Sequence, residues 1–180
     1  MDKEKLKEDL FEMNMDCLCY GKREFFAEAK AYLSMEHDEK KFCVIAVDVE
    51  HFKLFNEWYG REAGDKFLID IASRLRQTCD ITGGVAGYLG DDNFAIVMPF
   101  SDGALTTLEN SIVGRIREYE DSVGFLPGFG VYCIDDMSVS MTTMYDRACI
   151  ALEKLKGNYA KRMNKYEKGI NISDISNDAD

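Results

Sequence analysis

Residues 42–49 read FCVIAVDV, a continuous apolar segment rich in β-branched side chains. A short apolar run of this kind is typical of a strand that is buried on both faces of a sheet. The run ends abruptly, because Asp48, Glu50 and His51 lie at or just after its carboxyl end. The segment therefore predicts a central strand that brings acidic side chains to one edge of a sheet.

The segments around this strand alternate between helical and extended patterns. Apolar residues at helical spacing predict helices at residues 3–13, at 22–34, after residue 51 with interruptions at Gly60 and Gly64, at about 103–120 and at about 140–156. Residues 83–98 predict a hairpin around Gly-Asp-Asp-Asn that Pro99 closes, and residues 129–134 predict another strand. This order predicts an α+β fold with a central, mostly antiparallel sheet flanked by helices.

The charge and hydropathy of the chain exclude several classes of function. Among its 180 residues, 22 are Lys or Arg and 33 are Asp or Glu, which gives a net charge of −11. An acidic surface repels nucleic acids and anionic membranes, so we expect neither as a partner. No apolar run reaches the length of a membrane span, and residues 1–14 lack the apolar region of a signal peptide. We therefore expect a cytoplasmic protein without membrane insertion.

The cysteines predict no shared structural role. The chain has six of them: Cys17, Cys19, Cys43, Cys79, Cys133 and Cys149. Their spacing contains no C-x-x-C pair and the chain has only two histidines, which argues against both a zinc site and a disulfide framework. Cys43 and Cys133 lie in apolar runs, where small buried thiols are usually found.

Two acidic pairs are the candidates for chemistry. Asp48 and Glu50 stand at the end of the central strand, and Asp91 and Asp92 stand at the tip of the predicted hairpin. If the two strands are neighbours, the carboxylates converge at one edge of the sheet, and without Lys or Arg they would require protonation or a cation such as Mg²⁺. The alternative is that these are ordinary solvated turns, and the pattern alone does not decide between the two.

Several motifs, in order, resemble one known family. Residues 47–68, VDVEHFKLFNEWYGREAGDKFL, are similar to the D-x-D-x-F-K-x-x-N-D-x-x-G-x-x-x-G-D stretch of the GGDEF, or diguanylate cyclase, family. Residues 88–99, YLGDDNFAIVMP, stand where that family has R-x-G-G-D/E-E-F. Residues 129–132, 144–159 and 16–26 resemble its S-I-G-V strand, its A-D-x-A-L-Y-x-A-K-x-x-G-R-N helix and its D-x-L-T-G-L-x-N-R-R-x-F segment. The resemblance covers about residues 16–168.

The resemblance implies a fold and a division of the chain. The fold is a five-stranded sheet flanked by helices, as in nucleotidyl cyclases and polymerase palms. Residues 35–170 would form the GGDEF domain, and residues 1–34 would be a helical segment that leads into it. Residues 171–180 are polar, and we expect them to be a disordered tail.

The resemblance also implies roles for individual residues. Active members of the family bind GTP, and two subunits face each other to make cyclic di-GMP. Asp48 and Asp92 would be ligands of a Mg²⁺ ion, with the Val49 carbonyl nearby. Asn56 and Asp65 would bind the guanine edge. The backbone N–H groups near Phe52 and Lys53 would hold phosphates at a helix N-terminus.

The signature hairpin departs from the family pattern, since it reads Gly90-Asp91-Asp92-Asn93-Phe94. Asp91 replaces the second glycine and adds a negative charge where a triphosphate would lie. Asn93 replaces the glutamate and cannot accept a proton from the attacking hydroxyl, a loss that typically lowers a rate by about two to four powers of ten.

Three further departures lie outside that signature. Tyr88 stands where the family has an arginine, and residues 81–84 lack the inhibitory R-x-x-D motif. The lysine of the last helix falls on Glu153, or on Lys154 or Lys156 in a shifted register, and the sequence does not choose among them.

These departures predict a degenerate GGDEF domain of cyclic di-GMP signalling without turnover, acting as a GTP-sensing, regulatory or dimerisation module. The implied partners are GTP, an adjacent EAL phosphodiesterase domain or another protein, and a second copy of the chain. Two alternatives stay open. One is a weakly active cyclase that makes cyclic di-GMP from two GTP, and the other is a protein-interaction scaffold that binds no nucleotide.

Overall fold

The computed structural model of the protein describes residues 2–35, 37, 39–117 and 125–167. The predicted tail at 171–180 and the predicted helix end at 118–120 lie outside these residues. The helices are α1 (Lys3–Asp16), α2 (Lys22–Ser34), α3 (Phe52–Tyr59), α4 (Arg61–Thr82), α5 (Asp102–Arg117) and α6 (Met141–Glu153). The strands are β1 (Phe42–Val49), β2 (Val85–Tyr88), β3 (Phe94–Pro99), β4 (Pro127–Cys133) and β5 (Met163–Lys165).

The strands form one five-stranded sheet in the order β2-β3-β1-β4-β5. The pairs β1–β3, β1–β4 and β2–β3 are antiparallel, and β4–β5 is parallel. The mostly antiparallel α+β sheet is therefore confirmed, and β1 is its central strand. Every residue of β1 except Asp48 is buried, which explains why the segment reads as a continuous apolar run.

Helices cover both faces of the sheet, and alternate residues of β1 divide between them. Cys43, Ile45 and Val47 belong to the core that α3, α4 and α5 cover. Val44 and Ala46 belong to a second core that α2 and α6 cover. Since both faces of β1 are sealed, polar groups can be exposed only at the ends of the strand. None of the helices in the part of the chain that the structure describes is long and apolar enough to cross a bilayer.

Two local features differ from the sequence-based expectation. Gly60, with a φ of 89°, separates α3 from α4 as predicted, but Gly64 lies within α4 and does not interrupt it. Gly64 is needed for close packing, because a β-carbon there would overlap the side-chain oxygen of Asn56 and lie 3.2 Å from the Phe52 ring. The short strand β5 has no signal in the residue pattern, since its sequence is Met-Asn-Lys.

Candidate functional site

A pocket of about 410 Å³ lies at the carboxyl end of β1. Five parts of the chain meet there: the end of β1, the start of α3, the hairpin between β2 and β3, the end of α6 and the segment before β5. The pocket is lined by Asp48, Val49, Glu50, His51, Phe52, Lys53, Asp92, Leu152, Leu155, Lys156 and Arg162. The structure therefore brings Asp48, Glu50 and Asp92 together, whereas Asp91, the fourth carboxylate that the residue pattern offered, does not line the pocket.

Asp48 and Asp92 form the acidic side of the pocket. The backbone N–H of Val49 donates a 2.9 Å hydrogen bond to Oδ2 of Asp92, which fixes the hairpin tip against the end of β1. Burial, followed by repulsion from Asp92, raises the pKa of Asp48 to about 6. Burial also raises the pKa of Asp92, although the hydrogen bond from Val49 opposes that shift. Both carboxylates are thus disfavoured as charged groups, and a bound cation or a proton would relieve them.

Cations line the other side of the pocket, which the residue pattern did not predict. The side chain of Lys156 forms a 2.9 Å ion pair with Glu153 and attracts Asp48. This placement brings Lys156, of the three positions the sequence left open for the last-helix lysine, into the pocket. Lys53, at the start of α3, also lines it. The acidic edge is therefore a mixed-charge site.

Arg162 is the most constrained of these cations, with only 4% of its surface exposed. Its guanidinium donates to the backbone carbonyls of Leu126, Pro127 and Asn158 at 2.9–3.0 Å. It also donates to Oε2 of Glu50 at 3.3 Å.

Glu50 is held from two sides, because it also accepts a 2.7 Å hydrogen bond from the backbone N–H of Gly157. The Glu50 carboxylate therefore connects the end of β1 to the segment after α6 through these two hydrogen bonds. Sequence reasoning missed this pair. Arg162 lies 112 positions from Glu50 in the chain, and nothing in the pattern around residues 161–162 marks an arginine as buried.

The start of α3 faces the same pocket. His51 precedes α3 with a left-handed φ of 61° and makes no capping hydrogen bond to the helix with its side chain. Phe52 and Lys53, the first two residues of the helix, line the pocket. First-turn N–H groups have no partner within a helix, and the positive end of the helix dipole favours anions. This geometry is compatible with the predicted phosphate contacts.

Asn56 and Asp65 do not line this pocket. Asn56 is one turn further along α3, where it packs against Gly64. Its side-chain oxygen is buried without a hydrogen-bond partner. Asp65 follows Gly64 and lines a separate cavity of about 710 Å³ between α1 and the start of α4. Burial raises the pKa of Asp65. Asn56 packs against Gly64 and Asp65 follows Gly64 in the chain, so the two predicted guanine-binding residues lie near each other but outside the pocket of Asp48 and Asp92.

The signature hairpin turns sharply, with positive φ at Gly90 (97°) and Asp91 (49°). Asp91 is exposed, does not line the pocket, and accepts a 2.6 Å hydrogen bond from the Tyr88 hydroxyl through its backbone carbonyl. The Asn93 side chain donates to the Gly90 carbonyl at 3.4 Å, so it is turned back on the hairpin. Phe94 is fully buried in the core. Of the hairpin, only Asp92 enters the pocket.

These residues form no closed metal cluster. Within residues 2–117 and 125–167, apart from 36 and 38, no group of three or more His, Cys, Asp or Glu side chains is arranged to hold a metal ion. Asp48 and Asp92 remain as two oxygen donors in one pocket. A cation at this position would therefore need further ligands from a bound molecule or from water.

Comparison with known proteins agrees with this geometry. Residues 19–162 match the protein family described as diguanylate cyclase, GGDEF domain. The chain is 30% identical over 148 residues to the diguanylate cyclase DgcP of Escherichia coli K12. That alignment covers 78% of this chain and 43% of DgcP, so the chain spans less than half of this relative.

Solved structures share the fold. The active GGEEF domain of a diguanylate cyclase from Vibrio cholerae has a TM-score of 0.70 at 24% identity, over 84% of this chain and 99% of that one. The GGDEF domain of DgcB from Caulobacter crescentus, solved in complex with c-di-GMP, has a TM-score of 0.69 at 21% identity, over 83% and 92%. With the family match covering well over half of its length, the chain belongs to the GGDEF domain family, the diguanylate cyclase family of cyclic di-GMP signalling.

Proposed function

We propose that this chain is a degenerate GGDEF domain that binds GTP without converting it to cyclic di-GMP, and that it acts as a regulatory or dimerisation module. The observation that carries the proposal is that two neighbouring side chains of the signature hairpin point to different places. Asp92 enters the pocket and is held by Val49, whereas Asn93 is turned back onto Gly90. An amide cannot accept a proton from an attacking hydroxyl. In this proposal the pocket keeps groups that can bind a nucleotide and a cation, and it lacks the glutamate that would act as the general base.

The charges in the pocket suit a triphosphate with a divalent cation. Asp48 and Asp92 would hold Mg²⁺, because they are oxygen donors whose pKa values burial raises, with repulsion from Asp92 adding to the shift at Asp48. The ion would supply charge neutralisation for the phosphates. Arg162 already has four acceptors, so the phosphates would meet Lys53, Lys156 and the first N–H groups of α3.

Asn56 and Asp65 support guanine as the base. The Watson–Crick edge of guanine presents N–H donors, and the Asn56 side-chain oxygen is a buried acceptor that lacks a donor. A partly buried carboxylate at Asp65 adds a second acceptor. Adenine presents an acceptor at the corresponding ring nitrogen and only its amino group as a donor, so it would lack the two adjacent N–H groups that guanine offers to Asn56 and Asp65. The polar groups therefore favour GTP over ATP.

The proposed partners follow from the absence of turnover. A domain that binds GTP without consuming it can act only by changing what it contacts, such as a second copy, an adjacent EAL domain or another protein. In this proposal residues 35–170 form the domain and residues 1–34 lead into it. The chain spans 43% of DgcP, which leaves room in a protein of that length for such an adjacent domain.

The test is a calorimetric titration of GTP with Mg²⁺ into the purified chain. Saturable heat is expected, with clear loss in Asn56→Ala and weaker binding in Asp48→Asn. Asn110→Ala, which changes an exposed amide on α5, is the matched control and should bind like the parent chain. The same samples are then examined by chromatography for cyclic di-GMP.

Each other outcome removes one part of the proposal. No heat up to millimolar GTP would exclude a nucleotide site and leave an interaction scaffold. Formation of cyclic di-GMP by the parent chain would instead make it a weakly active cyclase, an alternative that the retained pair of Asp48 and Asp92 favours.

A further inference from the structure

Two cysteines face each other on the neighbouring strands β1 and β4. The six cysteines are unpaired in the structure, and the register of β1 with β4 places Cys43 directly opposite Cys133. Both belong to, or pack against, the core that α3, α4 and α5 cover. Their side chains therefore point to the same side of the sheet. The sequence shows no sign of this pairing, because it depends on strand register.

The hydrogen bonds around this pair define its geometry. The backbone N–H of Ile134 donates to the carbonyl of Phe42 at 2.9 Å, so Phe42 and Ile134 form a hydrogen-bonded pair of the antiparallel ladder. Hydrogen-bonded and non-hydrogen-bonded pairs alternate along such a ladder. Cys43 and Cys133, the next pair, therefore form a non-hydrogen-bonded pair, whose α-carbons are typically about 4.5 Å apart. Disulfides accept α-carbon separations of about 4.4–6.8 Å.

The two thiols differ in access. Cys43 is fully buried, and its thiol lies 3.6 Å from the Met98 carbonyl. Cys133 is the last residue of β4 and is partly exposed. Burial raises the pKa of Cys43 to about 12 and raises the pKa of Cys133 as well, while nearby Lys165 opposes both shifts. Thiolate is therefore scarce, and an external oxidant reaches Cys133 first.

We propose that Cys43 and Cys133 form a cross-strand disulfide when the protein meets a low-molecular-weight disulfide such as oxidised glutathione. The Cys133 thiolate attacks one sulfur of oxidised glutathione, which forms a mixed disulfide and releases one reduced glutathione. The Cys43 thiolate then attacks the Cys133 sulfur and releases the second. Each cysteine gives up one proton, the two thiols are oxidised to one disulfide, and oxidised glutathione is reduced to two thiols.

The cross-link lies away from the nucleotide pocket. Cys43 and Asp48 are five residues apart on an extended strand, which is roughly 17 Å. The disulfide would join β1 and β4 at the ends of the strands that lie away from the pocket. It would not contact Asp48, Asp92 or α3. Oxidation should therefore raise the apparent melting temperature while leaving nucleotide binding unchanged, so the disulfide can be tested independently of the proposed function.

The experiment uses the full chain, fully reduced, freed of reductant and equilibrated with oxidised glutathione under native conditions. Remaining thiols are alkylated, and the protein is digested and mapped by mass spectrometry. A peptide that joins Cys43 to Cys133, with the loss of two hydrogens and no retained glutathione, is the expected result. Its yield should fall when the same reaction is run in denaturant, because the pairing depends on the strand register.

Two variants and one control sharpen the result. Cys43→Ala should stop the reaction at glutathione on Cys133, and Cys133→Ser should leave Cys43 free. Cys149→Ser, which changes another partly exposed cysteine, should still give the cross-link. A native wild-type sample in which Cys133 carries glutathione at equilibrium while Cys43 stays free would overturn the proposal. Cross-links among random cysteine pairs would overturn it equally.

Discussion

The backbone N–H of Val49 donates a 2.9 Å hydrogen bond to a carboxylate oxygen of Asp92. Val49 is the last residue of the central strand, and Asp92 is at the tip of the signature hairpin. This bond places the one acidic residue that survives in the signature beside Asp48. Asp92 therefore has two properties that can be tested separately. Its side-chain oxygen accepts the hydrogen bond from Val49, and its negative charge would attract the proposed cation.

Asp92→Ala should lower the free energy of unfolding by about 1–3 kcal/mol, because it leaves the buried N–H of Val49 without an acceptor. Asp92→Asn keeps an acceptor and removes the charge, so it should unfold almost like the parent chain while losing cation-dependent GTP binding. Urea unfolding measures the first effect and calorimetry the second. Equal losses of stability in both variants would mean that the charge, and not the acceptor, holds the hairpin.

Arg162→Met should destabilise the protein by about 3–5 kcal/mol, because it leaves the largely buried Glu50 carboxylate without its partner and three carbonyls without a donor. The matched control is Arg76→Met, which breaks an exposed ion pair with Asp80 on α4 and should cost less than about 0.5 kcal/mol. Urea unfolding of both variants gives the comparison. Similar small losses would show that Arg162 is not the anchor of this segment.

Gly64→Ala should destabilise the protein by about 1–3 kcal/mol and weaken GTP binding, because its β-carbon overlaps the Asn56 side chain. Gly114→Ala is the matched control on α5, where a β-carbon meets open space. It should stabilise the protein by about 0.5–1 kcal/mol, since alanine favours helix. Thermal unfolding and calorimetry of the two variants test this contrast. A neutral effect of Gly64→Ala would mean that Asn56 is free to move.

The pKa of Asp48, about 6 in the folded protein against an ordinary 3.8, gives a defined pH dependence. The folded state holds this proton more tightly than the unfolded state, so the stabilising contribution is complete below about pH 4 and is lost as pH rises through about 6. Asp48→Asn removes the effect and, after allowance for solvent screening, should be more stable than the parent chain near pH 7 by roughly 1–2 kcal/mol.

Urea unfolding in a metal chelator, across about pH 4–8, measures this dependence. Asp80→Asn, at an exposed position, is the control and should retain the parent pH profile. An unchanged pH profile in Asp48→Asn would show that Asp48 is not the group responsible.

Repair of the hairpin tests the missing base. The double change Asp91→Gly and Asn93→Glu should raise cyclic di-GMP formation by about two powers of ten or more, because it restores a proton acceptor at residue 93 and the family's glycine at residue 91. Asp91→Gly alone is the control and should not restore turnover. Chromatography of reactions with GTP and Mg²⁺ measures the product. If the repaired protein binds GTP and still makes no cyclic di-GMP, the cause of inactivity lies at residues other than 91 and 93.

The sequence was most informative where a local residue pattern is compatible with a single type of secondary structure. The bounds of the central strand, the hairpin and the closing Pro99 follow from burial and turn chemistry, and the structure confirms them. The convergence of Asp48 and Asp92 could be expected once the two strands were taken as neighbours. The order of the motifs along the chain indicated the family.

Features that depend on distant contacts could not be read in the same way. Strand β5 is three residues long and carries no periodic pattern. Arg162 is buried only because carbonyls from residues 126, 127 and 158 surround it. Gly64 reads as a helix breaker in isolation, yet its role is to accommodate Asn56 from the neighbouring helix. Each of these depends on the tertiary structure more than on the local sequence.

The position of Arg162 has a consequence for biosynthesis. Glu50 leaves the ribosome more than one hundred residues before its partner, so it remains without that partner while β3 and β4, the two neighbours of β1, are synthesised. The pocket can close only after residue 162 has been synthesised and has reached the carbonyls of Leu126 and Pro127. Nascent chains released before that point should have the pairing of β1 with β3 and a pocket that lacks Arg162.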